Sequence, residues 1–116
     1  MIDMTMLFSL EAAQLEGEPD IIVELIDLYL ADVPLRIAAM QAAIAVKDER
    51  ALKHAAHNLK GSSANLGAYQ LAARCADIEQ ADGNDPFQSS SALLAQLEQE
   101  FERVRQVFTA ERQRRL

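Results

Sequence analysis

The chain has 116 residues, with 11 Lys+Arg against 18 Asp+Glu and a formal charge of −7. That length fits one domain over residues 1–116, and the acidic balance disfavours nucleic acid and anionic membranes, both of which reward a basic surface. Half the residues are hydrophobic but only 5% are aromatic, with four Gly and three Pro, so Ala and Leu must fill the core of a helical rather than a turn-rich β protein.

The first segment, about Asp3 to Glu16, is short and acidic and reads as a capping helix. The second opens at Pro19, a residue suited to the first helical position. Its apolar residues Ile22, Ile26, Tyr29, Val33, Ile37, Met40 and Ile44 recur at helical spacing through Pro34. Either one long helix bends there or two helices run nearly coaxially. The third helix starts at the N-cap Asp48 and stops at Asn65-Leu66-Gly67, with Leu52, Ala55, Ala56, Leu59, Ser63 and Leu66 inward. The fourth runs from about Ala68 to Ala81, with Leu71, Cys75 and Ile78 inward. After the turn signal Asp82-Gly83-Asn84-Asp85-Pro86, the Ser89-Ser90-Ser91 run reads as N-cap material. A fifth helix from about Ser91 to Arg112 then turns Leu93, Leu97, Phe101, Val104 and Phe108 inward. Joined by short turns, these elements predict an all-α fold, an antiparallel up-down four-helix bundle with a short N-terminal capping helix.

Charge is segregated along the chain. Eight carboxylates precede Arg36 without a Lys or Arg, whereas Arg103, Arg105, Arg112, Arg114 and Arg115 gather near the end. The expected reading is solvated helix faces, with basic residues suited to a helix C-terminus.

Both histidines, His54 and His57, lie on the third helix. His57 projects roughly 150° from the centre of the buried arc, so it faces solvent. Lys53, Lys60, Gly61 and Ala64 share that outer side. Gly61 is an unusual choice there, since glycine in a helix interior costs about 1 kcal/mol relative to alanine. Without a Cβ, however, it lets another molecule's surface come close to the imidazole. Lys60, one turn away, suits neutralisation of an anion carried on His57. A neutral imidazole, with an unperturbed pKa near 6.5, is a competent nucleophile. The chain has no P-loop or kinase-type loop, so if His57 carries a phosphoryl group, the other half of the reaction centre belongs to a partner.

The run His57-Asn58-Leu59-Lys60-Gly61-Ser62-Ser63-Ala64-Asn65-Leu66-Gly67 resembles the signature of histidine-containing phosphotransfer (HPt) domains of bacterial two-component phosphorelays. The resemblance implies a phosphorelay intermediate that accepts a phosphoryl group from an aspartyl-phosphate receiver domain and passes it to another. It implies His57 as phosphoacceptor, Lys60 as phosphate neutraliser and Gly61 as the position open to the receiver. By spacing, Glu79 on the next helix fits a residue that orients the histidine, accepting from Nδ1–H and leaving Nε2 free. The implied partners are receiver domains of hybrid sensor kinases and response regulators, which supply Mg²⁺; no cofactor is expected of the chain itself. His54 is expected only to flank the site.

Two competing readings are a non-catalytic adaptor that binds receivers and a metal-binding bundle. The intact His57 and Lys60 oppose the first. Both histidines sharing one helix, without a Glu-x-x-His pair, opposes the second. Met4, Met6, Met40 and Cys75 read as packing residues, and one cysteine excludes an internal disulfide or a multi-cysteine zinc site. The start lacks a signal-peptide pattern and no apolar run approaches the roughly 18 residues of a span, so a cytoplasmic protein is expected, and a monomer because the bundle can close on itself while His57 must stay accessible. Ile21, Leu28 and Leu35 recur every seven residues off the core arc. Partial cover by the N-terminal helix, with docking of a receiver at the open edge, is the expected use of this strip.

Overall fold

Helix boundaries follow from local hydrogen bonding. In the computed structural model, which describes residues 2–81 and 86–116, Asp20 Oδ1 accepts from the Ile22 and Val23 amides and opens α2 (Ile21–Ala45). Asp48 Oδ1 accepts from Ala51 N at 3.0 Å and opens α3 (Glu49–Asn65). Before these lie α1 (Thr5–Ser9) and a 3₁₀ turn, Leu10–Ala13; after them come α4 (Tyr69–Glu79) and α5 (Pro86–Arg115). Helices α2, α3, α4 and α5 each pack on the next, and α5 closes the ring on α2. The fold is the expected helical bundle, elongated at 55 × 23 × 20 Å.

Three expectations change, and one alternative is decided. The capping segment is one short helix and a 3₁₀ turn rather than a helix to Glu16. Pro19 stands outside α2, because Asp20 takes the capping position. Of the two alternatives at Pro34 the single long helix holds: α2 runs through Pro34, which lies on the exposed face, where water can serve the carbonyl that proline's missing N–H leaves open. The serines do not cap α5, which already begins at Pro86; Ser91 Oγ instead donates to Phe87 O inside the helix. The predicted turn at Asp82-Gly83-Asn84-Asp85 lies outside the described residues.

The core contains Leu7 of α1, Ile22, Ile26, Val33 and Met40 of α2, Leu52 and Leu59 of α3, Leu71 and Ile78 of α4, and Leu97, Val104 and Phe108 of α5. On α5, Leu94 takes the buried place expected of Leu93, while Leu93, Phe101, Ile44 and Leu66 are only partly covered. Tyr29 packs edge-on against Phe108, with ring centroids 5.7 Å apart. Its hydroxyl shares a 2.7 Å hydrogen bond with buried Ser63 Oγ, so the two polar groups satisfy one another inside the core.

The same cap closes α2 and α3. Ala68 N donates to Ser63 O and Gly67 N to Ala64 O, with Gly67 at φ +82°. Asp48 N donates to Ala43 O and Lys47 N to Ile44 O, but here the left-handed position holds Lys47 at φ 58°. A lysine in that conformation is strained by its Cβ. Lys47→Gly should therefore raise unfolding stability by about 1 kcal/mol, read from urea midpoints; a loss of stability would show that the Lys47 side chain makes a compensating contact.

The segregated charges meet in space. Arg112 Nε donates to Asp27 Oδ1 at 2.6 Å. Arg115, with only 11% of its side chain exposed, binds Glu11, Asp20 and Glu111, and its guanidinium stands 5.4 Å above the Phe8 ring. The expected solvated faces are thus partly replaced by a clasp that fastens the N-terminal segment to the end of α5. Arg103 is 73% exposed, and Arg105 and Arg114 pair locally with Glu102 and Glu111.

Candidate functional site

Helical periodicity turns His57 outward from the α3 core face, and its side chain is 65% exposed. Glu79 is the last residue of α4. A carboxylate is unfavourable at that end of a helix dipole, so it needs cationic or donating neighbours. It has them on α3: Glu79 Oε2 lies 3.1 Å from His57 Nδ1, and Glu79 Oε1 lies 2.7 Å from Lys60 Nζ. The structure therefore brings His57, Lys60 and Glu79 into one contiguous group. Bonded at Nδ1, the imidazole has its Nε2 free of the protein among the described residues.

Glu79 is four-fifths buried. Burial pushes its pKa up, but the hydrogen bonds and charges of Lys60 and His57 outweigh that and hold it below the ordinary 4.5. The depressed value fixes the sign of a pH effect. Glu79 contributes stability in full above its unfolded pKa, and that contribution disappears as pH falls through the lower folded value. Glu79→Gln should remove this part of the acid-side loss below about pH 4.5, seen in urea melts at neutral and acid pH. An unchanged acid-side slope would show that the carboxylate is not held by its neighbours.

Gly61 is exposed, and a Cβ built on it meets nothing within 4 Å. Among the described residues, no packing contact calls for a glycine there. His54 is exposed beside the group, its Nε2 3.2 Å from Asn58 Nδ2, and does not join it. Cys75 is buried, its thiol pushed up to about 12 by burial first and by the Glu79 charge next, so it is inert packing below the site. Among the described residues, no three His, Cys, Asp or Glu side chains gather in a way that could hold a metal ion. No helix among them is long and apolar enough to cross a membrane.

Further along α3, between it and α2, lies a groove of about 290 Å³ lined by residues that include Leu25, Leu28, Asp32, Ser62, Asn65 and Leu66. Leu28 and Leu35 are 67% and 69% exposed, whereas Ile21 is partly covered. Leu28 and Leu35 are thus left uncovered, and the N-terminal helix turns Leu7 into the core.

Sequence reasoning placed Tyr29 and Ser63 on buried faces but missed that they pair. It also missed the Arg115 clasp; the concentration of unlike charges at the two ends of the chain was the available signal.

A model of the Hpt domain family matches residues 24–107. The chain is also similar to a solved structure, histidine-containing phosphotransfer protein B (HptB) from Pseudomonas aeruginosa PAO1. The two are 37% identical, with a TM-score of 0.84 over 97% of this chain and 95% of that one. No curated protein matches.

Proposed function

This chain belongs to the Hpt domain family and has a histidine phosphotransfer role, and from its site we propose that it is a relay intermediate in which His57 takes a phosphoryl group from an aspartyl-phosphate receiver and hands it to another. The observation that carries the reading is the arrangement of His57, Lys60 and Glu79: an exposed imidazole, bonded at Nδ1 and free at Nε2, beside a lysine.

The Nε2 lone pair attacks phosphorus as the acyl P–O bond breaks and the receiver's aspartate leaves as carboxylate. The Nδ1 proton stays with its ring, and the cationic phosphoimidazole is stabilised by the Glu79 carboxylate. Lys60 is positioned to exchange its contact with Glu79 for one with the incoming phosphoryl oxygens. Transfer to the second receiver reverses these steps, and the electron pair returns to Nε2. Since Lys60 and His57 already occupy Glu79, the residues at this site do not make a Mg²⁺ site; we assign that ion to the receiver. The relay is placed in the cytoplasm, where receivers reside, and the chain acts as a monomer with His57 accessible.

The receiver docks over Gly61 and along the bare Leu28–Leu35 strip. Leu28→Glu should weaken receiver binding by roughly tenfold, about 1.4 kcal/mol, without altering the melting transition. Unchanged binding would remove the strip from the interface.

To test the function, the protein is mixed with a phosphorylated receiver and Mg²⁺ without ATP. The label should move to this chain as an acid-labile, alkali-stable group and fail to move to His57→Ala. A receiver complex that forms without any transfer would support the adaptor reading instead.

A further inference from the structure

Between Arg50 and Ala76 the chain carries four cations, Arg50, Lys53, Lys60 and Arg74, and no carboxylate, although the whole molecule has a charge of −7. Three of the four lie on α3. At 3.6 residues per turn, Arg50, Lys53, His57 and Lys60 project within about 80° of one another, so they form a single ridge with His57 inside it. Lys53 is paired with Glu49 at 2.9 Å and Lys60 with Glu79. Arg50 is exposed and has no ion-pair partner among the described residues. The ridge is also asymmetric. On the C-terminal side of His57 stand the small residues Gly61 and Ala64, where a surface can come close. On the N-terminal side stand Arg50 and Lys53, and only Lys53 has its charge taken up, by Glu49.

We propose that the Arg50–Lys53 end of this ridge is the electrostatic half of the docking surface. It would take the acidic rim of the phosphorylated partner and thereby set the direction in which that partner lies across α3. The inference rests on the proposed phosphoryl-transfer function. Arg50 lies about 10 Å from His57 along the axis, at 1.5 Å per residue. An interface that buries about 800 Å² on each partner and is centred on His57 extends beyond that distance, so Arg50 falls within it. A phosphorylated receiver brings carboxylates and a phosphoryl dianion to this face. An unpaired guanidinium at the rim of the contact therefore accelerates encounter rather than strengthening the final complex.

The test measures second-order phosphoryl transfer from a panel of single-domain receivers, each phosphorylated with acetyl phosphate and freed of the reagent. Wild type, Arg50→Glu and Arg105→Glu are compared at about 20 mM and about 500 mM salt, where the screening length falls from tens of ångströms to a few. Arg105, already paired with Glu102 on α5, makes the same change in net charge away from the ridge. Arg50→Glu should slow transfer about fivefold to tenfold at low salt, with the gap closing at high salt, while Arg105→Glu stays within about twofold of wild type. Equal slowing of both variants, or none in Arg50→Glu, overturns the ridge while leaving the relay function intact. Absence of transfer by the wild type from every receiver would overturn the function, and the ridge with it.

Discussion

Gly61→Gln should give a protein that is more stable than the wild type yet transfers phosphoryl groups at least about a hundredfold more slowly. The two effects have one cause. A Cβ at this position meets nothing within 4 Å, so glutamine enters without a clash and restores the helix propensity that glycine forfeits, about 1 kcal/mol. The same side chain then stands in the space through which the receiver's aspartyl phosphate must come within bonding distance of Nε2. Misplacement by about 1 Å is enough to cost two orders of magnitude. Phosphorylation by the small donor phosphoramidate, which needs no docked surface, should be nearly unchanged. Equal loss with both donors would mean that the substitution disturbs His57 itself.

Gly67→Ala should lower unfolding stability by about 3 kcal/mol. Gly67 has φ +82°, and a Cβ there would lie 1.6 Å from the carbonyl oxygen of Asp3. The left-handed conformation alone accounts for about 1 kcal/mol. The overlap cannot be relieved by rotating a side chain, because the neighbour is backbone. Residues near Asp3 must move away, breaking the 2.9 Å bond from Asp3 N to Gly67 O and loosening the segment that inserts Leu7 into the core. Gly17 provides the control: its φ is +84°, but nothing lies within 4 Å of its Cβ position. Gly17→Ala should cost only the conformational part, about 1 kcal/mol. If both substitutions cost the same, the N-terminal segment contributes nothing at Gly67.

What could be read from the sequence divides along physical lines. The buried arcs of α2 and α3 were legible because a 3.6-residue period is a local property, and the same period turns His57 outward. Gly67 was legible as a helix stop, but not as the seat of the Asp3 carbonyl, since that contact joins residues far apart in the chain. Arg115 is the basic residue near a helix C-terminus that local pattern makes it, but not the solvated one expected, for the same reason: only the closed ring shows Glu11, Asp20 and Phe8 beneath it. The caps failed differently. Asp20 displaced Pro19, and the helix starting at Pro86 overran the serines, because neighbouring residues with similar preferences compete for one boundary. At the site, spacing proposed Glu79 as a neighbour of His57 but not its simultaneous contact with Lys60, which depends on how α3 and α4 cross.

The central claim is that His57 carries the phosphoryl group on Nε2, and phosphorus NMR of the protein after exposure to a phosphorylated receiver tests it most directly. The account predicts one phosphoramidate resonance that couples to the His57 ring at Nε2. That resonance should give way to an acyl-phosphate signal when unphosphorylated receiver is added. A resonance on His54, attachment at Nδ1 of His57, or no phosphoramidate in a folded protein that binds the receiver would contradict it.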